Sequence, residues 1–178
     1  MGRSTTGKSF GGVLAGAAAL VALAVPASAE DVDAQAINFR TPFDCGQVWN
    51  ANTRADHNPQ NAVDFQKSNA QGQNVLASAS GEVTKVEDLG DDSYGKYLVI
   101  EHTDGWTTLY AHLSAFEASE GDSVSTGDLI GKVGSTGGST GPHLHYEQID
   151  GGTVQRVVLN GVKIKYYGDT EIKSSTGC

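Results

Sequence analysis

A mainly β fold is predicted for this 178-residue chain, as a single compact antiparallel sheet or sandwich with a long N-terminal arm and glycine-rich loops. Three observations predict it. From Val75 onward the sequence consists of short β-branched runs divided by glycine-bearing turns such as Leu89-Gly90-Asp91-Asp92 and Asp104-Gly105. No stretch beyond residue 29 carries a convincing 3.6-residue apolar period. Near the end, Asn160-Gly161 joins two such runs, and this dipeptide is a strong hairpin signal because both residues tolerate positive φ.

Residues 1–29 carry the marks of a secretory signal peptide: a basic start at Arg3 and Lys8, an apolar run over 13–25, and a small-residue Ala-Ser-Ala before Glu30. The run is shorter than the roughly 20 residues a spanning helix needs, so no stable membrane insertion is expected after cleavage. Within it, GRSTTGKS matches a phosphate-binding loop letter for letter. That loop works only between a strand and a helix, so no nucleotide is implied. The domain expected to follow occupies 30–178, with its core at about 56–149. Residues 30–65 read as an irregular arm, because Pro42, Pro59 and several Asn and Asp favour turns. Strands are predicted at 75–79, 81–87, 97–102, 106–112, 129–133, 143–149, 154–159 and 162–167, the last two forming a C-terminal hairpin over 154–167. Neither a repeat array nor a second binding module is evident.

Without the leader, Arg3 and Lys8 drop out, leaving 10 basic against 21 acidic residues, a formal charge of −11. Nucleic acid, which requires a basic surface, is excluded as a partner. The acidity serves solubility, and a monomer is expected. Cys45 and Cys178 are the two cysteines, and in an exported chain such a pair forms a disulfide. Closing almost the whole domain, it would stabilise the fold by about 4–5 kcal/mol in the chain-entropy description.

The stretch GSTGGSTGPHLHYEQ places His143 and His145 one residue apart. On a strand both imidazoles face one side, about 7 Å apart, with Leu144 and Tyr146 on the other. One ring could bind a metal while the other acts beside it. A hydrolytic zinc site needs about three protein ligands and an open position. The further ligands must be histidine or carboxylate if the cysteines are paired. DHNPQNAVDFQ supplies His57 and Asp64. Asp64 lies between the core candidates Val63 and Phe65, where a carboxylate needs a partner, whether a metal, a turn or an arginine. In TLYAHLS, Thr108, Tyr110 and His112 alternate with Leu109, Ala111 and Leu113, so His112 belongs either to a polar cluster or to the same site. His102, beside a turn, pairs with nothing and is left out.

Taken together, the His57–Asp64 segment, YAHLS and EGDSVSTGDLIGKVGSTGGSTGPHLHYE, over 120–147, resemble the lysostaphin/LytM-type (M23) zinc endopeptidases, which cut peptidoglycan cross-bridges or stem peptides. The resemblance covers about 56–149. It implies that His57, Asp64 and His145 hold Zn2+, while His112 and His143 flank the reacting water as catalytic histidines. Six residues separate His57 from Asp64 where the commonest family spacing has three, a departure that resembles the β-lytic branch. The implied protein is a secreted, cell-wall-directed zinc metalloendopeptidase whose partner is a peptidoglycan peptide. A secreted zinc protease for glycine-rich proteins would use the same residues. A non-catalytic peptidoglycan-binding or regulatory relative is the third reading, and it would be expected to lack ligands. No H-E-x-x-H helix supplies a glutamate base, so one of His112 and His143 would take a proton and the other would stabilise the oxyanion or protonate the leaving amine. The run 134–141 is either the wall of a groove for an extended peptide or a plain linker.

Overall fold

The computed structural model describes residues 37–178 together with Gly7. The expected signal peptide and its phosphate-loop look-alike lie outside the described residues, Gly7 apart. Strands dominate, with one 3-10 turn at Thr103–Gly105 and no α-helix among the described residues.

In chain order the strands are β1 (Val48–Thr53), β2 (Val63–Gln66), β3 (Asn74–Leu76), β4 (Gly81–Asp88), β5 (Lys96–Glu101), β6 (Trp106–Ala111), β7 (Leu113–Phe116), β8 (Ser123–Val124), β9 (Leu129–Val133), β10 (Leu144–Asp150), β11 (Thr153–Gln155), β12 (Val158–Leu159), β13 (Val162–Lys163) and β14 (Gly168–Lys173). Nine of them make one antiparallel sheet in the order β14-β1-β2-β10-β6-β5-β4-β8, with β11 paired to β10. A second sheet runs β3-β9-β7. Period-2 alternation explains how the two pack. Ala51, Phe65 and Leu144 lie opposite one another, as do Val63, Tyr146, Tyr110 and Leu98, and all are fully buried. This face, which also carries Trp49 and Ile172, packs on Val75, Leu113, Ile130 and Val133 of the smaller sheet and on Phe39, Phe43 and Leu159. At the centre of the core Ser78 sits under two tyrosines. Its backbone N–H donates to Tyr110 Oη at 2.9 Å, and its Oγ lies 2.7 and 2.9 Å from the hydroxyls of Tyr110 and Tyr146.

The mainly β, antiparallel expectation holds, whereas the irregular arm needs correction. Residues 30–65 contain β1 and most of β2, both inside the main sheet. Turn-favouring Asn50 and Asn52 occupy the face of β1 opposite the core and donate to Asp169 Oδ1, each at 2.8 Å, while Trp49, Ala51 and Thr53 are buried. Asparagine on the polar face of a strand is thus indistinguishable by composition from asparagine in a turn.

Other boundaries also move. The 75–79 run pairs only through Leu76, after which Ala77 donates to Asp128 and Ser78 to Tyr110. The expected hairpin is present at Asn160-Gly161, both at positive φ (51° and 74°), but only β12 and β13 pair there. Val154 belongs instead to β11, and Ile164 is buried beyond the hairpin. Cys45 and Cys178 are joined, with Cα atoms 5.3 Å apart across 133 residues of sequence.

Candidate metal centre and groove

Opposite the core, the register lines up Asp169, Asn52, Asp64, His145 and Ala111 as directly facing residues on β14, β1, β2, β10 and β6. Directly opposed residues share a face and nearly touch. A carboxylate and an imidazole are therefore set side by side by backbone pairing alone. His57 enters from the β1–β2 connection, its N–H bonded to the Arg54 carbonyl at 3.3 Å.

His57 Nε2 lies 3.2 Å and His145 Nδ1 3.3 Å from Asp64 Oδ1, and one donor atom from each of the three residues falls within 4.8 Å of the others. His143 Nε2 is 3.6 Å from the same oxygen. Despite this crowding Asp64 Oδ1 is buried and accepts no hydrogen bond. An anionic oxygen so placed is costly unless a cation meets it. One carboxylate and two imidazoles also form a donor set suited to zinc, so the residues present fit such an ion.

Each ring is oriented by an acceptor on its far side. His57 Nδ1 faces the Ala62 carbonyl at 3.3 Å, and His145 Nε2 faces Glu147 Oε1 at 2.9 Å, an oxygen that also accepts from the Tyr94 hydroxyl at 2.6 Å. Nδ1 of His112 faces the Thr136 carbonyl, and that of His143 the Gly141 carbonyl, each at 2.8 Å. Carbonyls and carboxylates accept only, so in the neutral imidazoles these nitrogens carry the proton and the opposite ones keep a lone pair.

Burial by itself would raise the Asp64 carboxyl, but the close approach of the His145 and His57 rings outweighs it and holds the group well below the usual carboxylate range. His112 is pulled down to about 4, first by burial and then by the neighbouring His143 and His145. It is therefore neutral near pH 7.

The placement of His112 corrects the alternation argument. Thr108 and Tyr110 do share a face, but it is the core face, and strict alternation would send His112 there too. Its φ of 61° instead turns the chain just after β6, bringing its ring 4.7 Å from that of His143 and 5.7 Å from that of His145. A non-glycine residue in the left-handed region costs about 1–2 kcal/mol, and such strain gathers at functional sites.

The five expected residues, His57, Asp64, His112, His143 and His145, all line one groove of about 690 Å3. Part of the glycine-rich run, 138–141, forms one of its walls, with Ser93 and Tyr94 close by. The wall is set by a backbone-to-backbone contact. A Cβ on Gly137 would lie 2.3 Å from the Gly95 nitrogen, and one on Gly95 2.4 Å from the Gly137 nitrogen. His102 stays apart, bonded to the Ser80 carbonyl and the Thr108 hydroxyl. Sequence reasoning missed Glu147, Tyr94 and Arg54. Glu147 was within reach, since it lies two residues beyond His145 on the same strand face. Tyr94 and Arg54 left no periodic signal.

Comparison with known proteins places this geometry among peptidases. A family model described as peptidase family M23 matches residues 58–157. The chain is 53% identical over 88 residues to the DD-carboxypeptidase/endopeptidase Mpg of Neisseria meningitidis, covering 49% of this chain and 20% of that protein. It is 41% identical over 91 residues to the peptidoglycan DD-endopeptidase ShyA of Vibrio cholerae, covering 51% of this chain and 20% of that one. The chain thus spans about a fifth of the length of these relatives. Among solved structures, a zinc-containing peptidase from Vibrio cholerae superposes with a TM-score of 0.56 at 29% identity, over 69% of this chain and 41% of that one. The chain belongs to peptidase family M23.

Proposed function

We propose that this protein is an exported, monomeric zinc metalloendopeptidase that hydrolyses peptide bonds in peptidoglycan, with His57, Asp64 and His145 holding the ion and His112 and His143 acting on the substrate. The observation that carries this reading is the buried Asp64 Oδ1, which accepts no hydrogen bond while His57 Nε2 and His145 Nδ1 converge on it. The zinc-containing neighbour supports the choice of ion. The activities named for Mpg and ShyA support a D,D-peptide bond as the target. Export is supported by the disulfide, which persists in oxidising compartments.

Zinc held there supplies Lewis acidity toward a carbonyl and brings the pKa of a water down toward about 7. The chain supplies the rest. Glu147 holds the His145 ring and raises its basicity as a donor. His112 and His143 are each anchored through Nδ1, which leaves Nε2 of both rings for proton transfer. His112, neutral near pH 7, can accept a proton as water adds to the carbonyl, and the partner imidazole can stabilise the developing oxyanion or donate to the leaving amine. The groove wall at 138–141 carries few bulky side chains, so an extended peptide can lie against it.

The test is direct. Purified protein should carry about one zinc per chain and release new amino groups from sacculi, with mass spectrometry of the fragments showing cleaved D,D bonds. His145→Ala and Asp64→Ala should lose both metal and activity. Full metal content in those variants would refute the ligand assignment. Intact sacculi alongside cleavage of a glycine-rich protein would favour the alternative substrate, and metal without any cleavage would favour a binding role.

A further inference from the structure

Arg54 lies just beyond β1, outside the stretch matched by the family model, which begins at residue 58. Its side chain is 46% exposed, yet it reaches inward to Asp64, which is 4% exposed, forming an ion pair with Nη2 3.0 Å from Oδ2. Nη1 donates to Asn52 Oδ1 at 3.2 Å, and Asn52 Nδ2 donates to Asp169 Oδ1 at 2.8 Å. A polar chain therefore runs from β14 through Asn52 and Arg54 to the buried carboxylate. Asp56, exposed and 3.9 Å from Nε, adds little.

The consequence is that the two oxygens of Asp64 are no longer equivalent. A carboxylate torsion is soft and roughly two-fold, so the group can otherwise present either oxygen or both. Here Oδ2 is paired with the guanidinium, and Oδ1 is left facing His57 and His145. The planar guanidinium suits this task, because one prong can hold Asp64 while another is braced on Asn52.

We propose that Arg54 is a positioning residue for the candidate metal centre: by holding Asp64 Oδ2 it presents Oδ1 alone to the ion. This rests on His57, Asp64 and His145 being the metal-holding trio. The competing view treats Arg54–Asp64 as an ordinary half-exposed ion pair with no effect on metal binding.

Zinc affinity of the full chain, measured by competition with a chromophoric chelator, separates the two. Arg54→Met should bind zinc about 10–100-fold more weakly than wild type. Arg54→Lys, which keeps the charge but not the fork, should fall between them, and Asn52→Ser, which removes only the brace, should show a smaller loss. The visible spectrum of the cobalt-substituted protein provides a second readout. Its ligand-field band should weaken in Arg54→Met as Oδ2 becomes available as an additional donor. If wild type takes up zinc while Arg54→Met and Arg54→Lys match its affinity within about twofold and keep its cobalt spectrum, the positioning role is refuted and the metal centre stands. A wild-type protein that takes up no zinc overturns both.

Discussion

Gly137→Ala is the sharpest single test of how the groove is built. A methyl there would meet the Gly95 nitrogen at 2.3 Å, the Ser93 carbonyl oxygen at 2.5 Å and the Gly95 Cα at 2.7 Å. All three are main-chain atoms that cannot swing aside. Restoring ordinary contact at 3.4 Å requires the 90s loop and the glycine-rich wall to part by about 1.1 Å. Alanine would also have to adopt a φ of +67°. Overpacking at about 1–3 kcal/mol and a left-handed residue at about 1–2 kcal/mol together destabilise by about 2–5 kcal/mol. For a domain of this size that lowers Tm by roughly 4–20 °C. The shift would also act on the chemistry, because Thr136 orients His112 and Tyr94 braces Glu147. Displacements of about 1 Å can lower turnover about 100-fold. Calorimetry and release of amino groups from sacculi measure the two effects. Gly138→Ala is the matched control: its nearest contact is 3.4 Å with no positive φ, so stability should stay within about 0.5 kcal/mol. If Gly137→Ala matched Gly138→Ala in both assays, the claim that this contact sets the wall would be refuted.

Three other outcomes are expected. Removing the disulfide with Cys45→Ser and Cys178→Ser together should destabilise by about 5 kcal/mol for a loop of 133 residues, and a Tm loss under about 3 °C by calorimetry would contradict the unfolded-state account. Tyr110→Phe strips the acceptor from the buried Ser78 N–H, so urea denaturation should show a loss of about 1–3 kcal/mol, and an unchanged midpoint would mean that the N–H finds another partner. Burial holds the His102 imidazole below its ordinary range against the opposing bond to the Ser80 carbonyl. The unfolded chain then binds the proton more readily, so this contribution is complete above about pH 6.5 and is lost as pH falls; wild type should lose stability faster than His102→Gln on acidification from pH 7 to 5, and parallel curves would contradict it.

The parts of the fold and site legible from sequence were those governed by period-2 alternation. Alternation placed His143 and His145 on one strand face because Leu144 belongs to the core, and Asn160-Gly161 marked its turn because both residues take positive φ. β1 stayed hidden because its buried Trp49 and Ala51 are interleaved with asparagines that also favour turns. The facing of His112 was unreadable for a different reason: a single left-handed residue reversed the alternation, and no local composition announces such a residue when it is not glycine. Arg54 was invisible because its meaning depends on a register between β1 and β2 that no local pattern encodes.

That register has a consequence for how the protein reaches its working state. Asp64 and His145 face each other only in one alignment of β2 with β10, and sliding either strand by one residue would turn its polar side chain into the core and bring an apolar neighbour such as Val63 or Leu144 to the groove. A misaligned chain therefore cannot assemble the trio even if its sheet is otherwise complete. On the proposed zinc reading, metal uptake during refolding would then act as a parity check, reporting correct strand alignment in a way that total β content cannot.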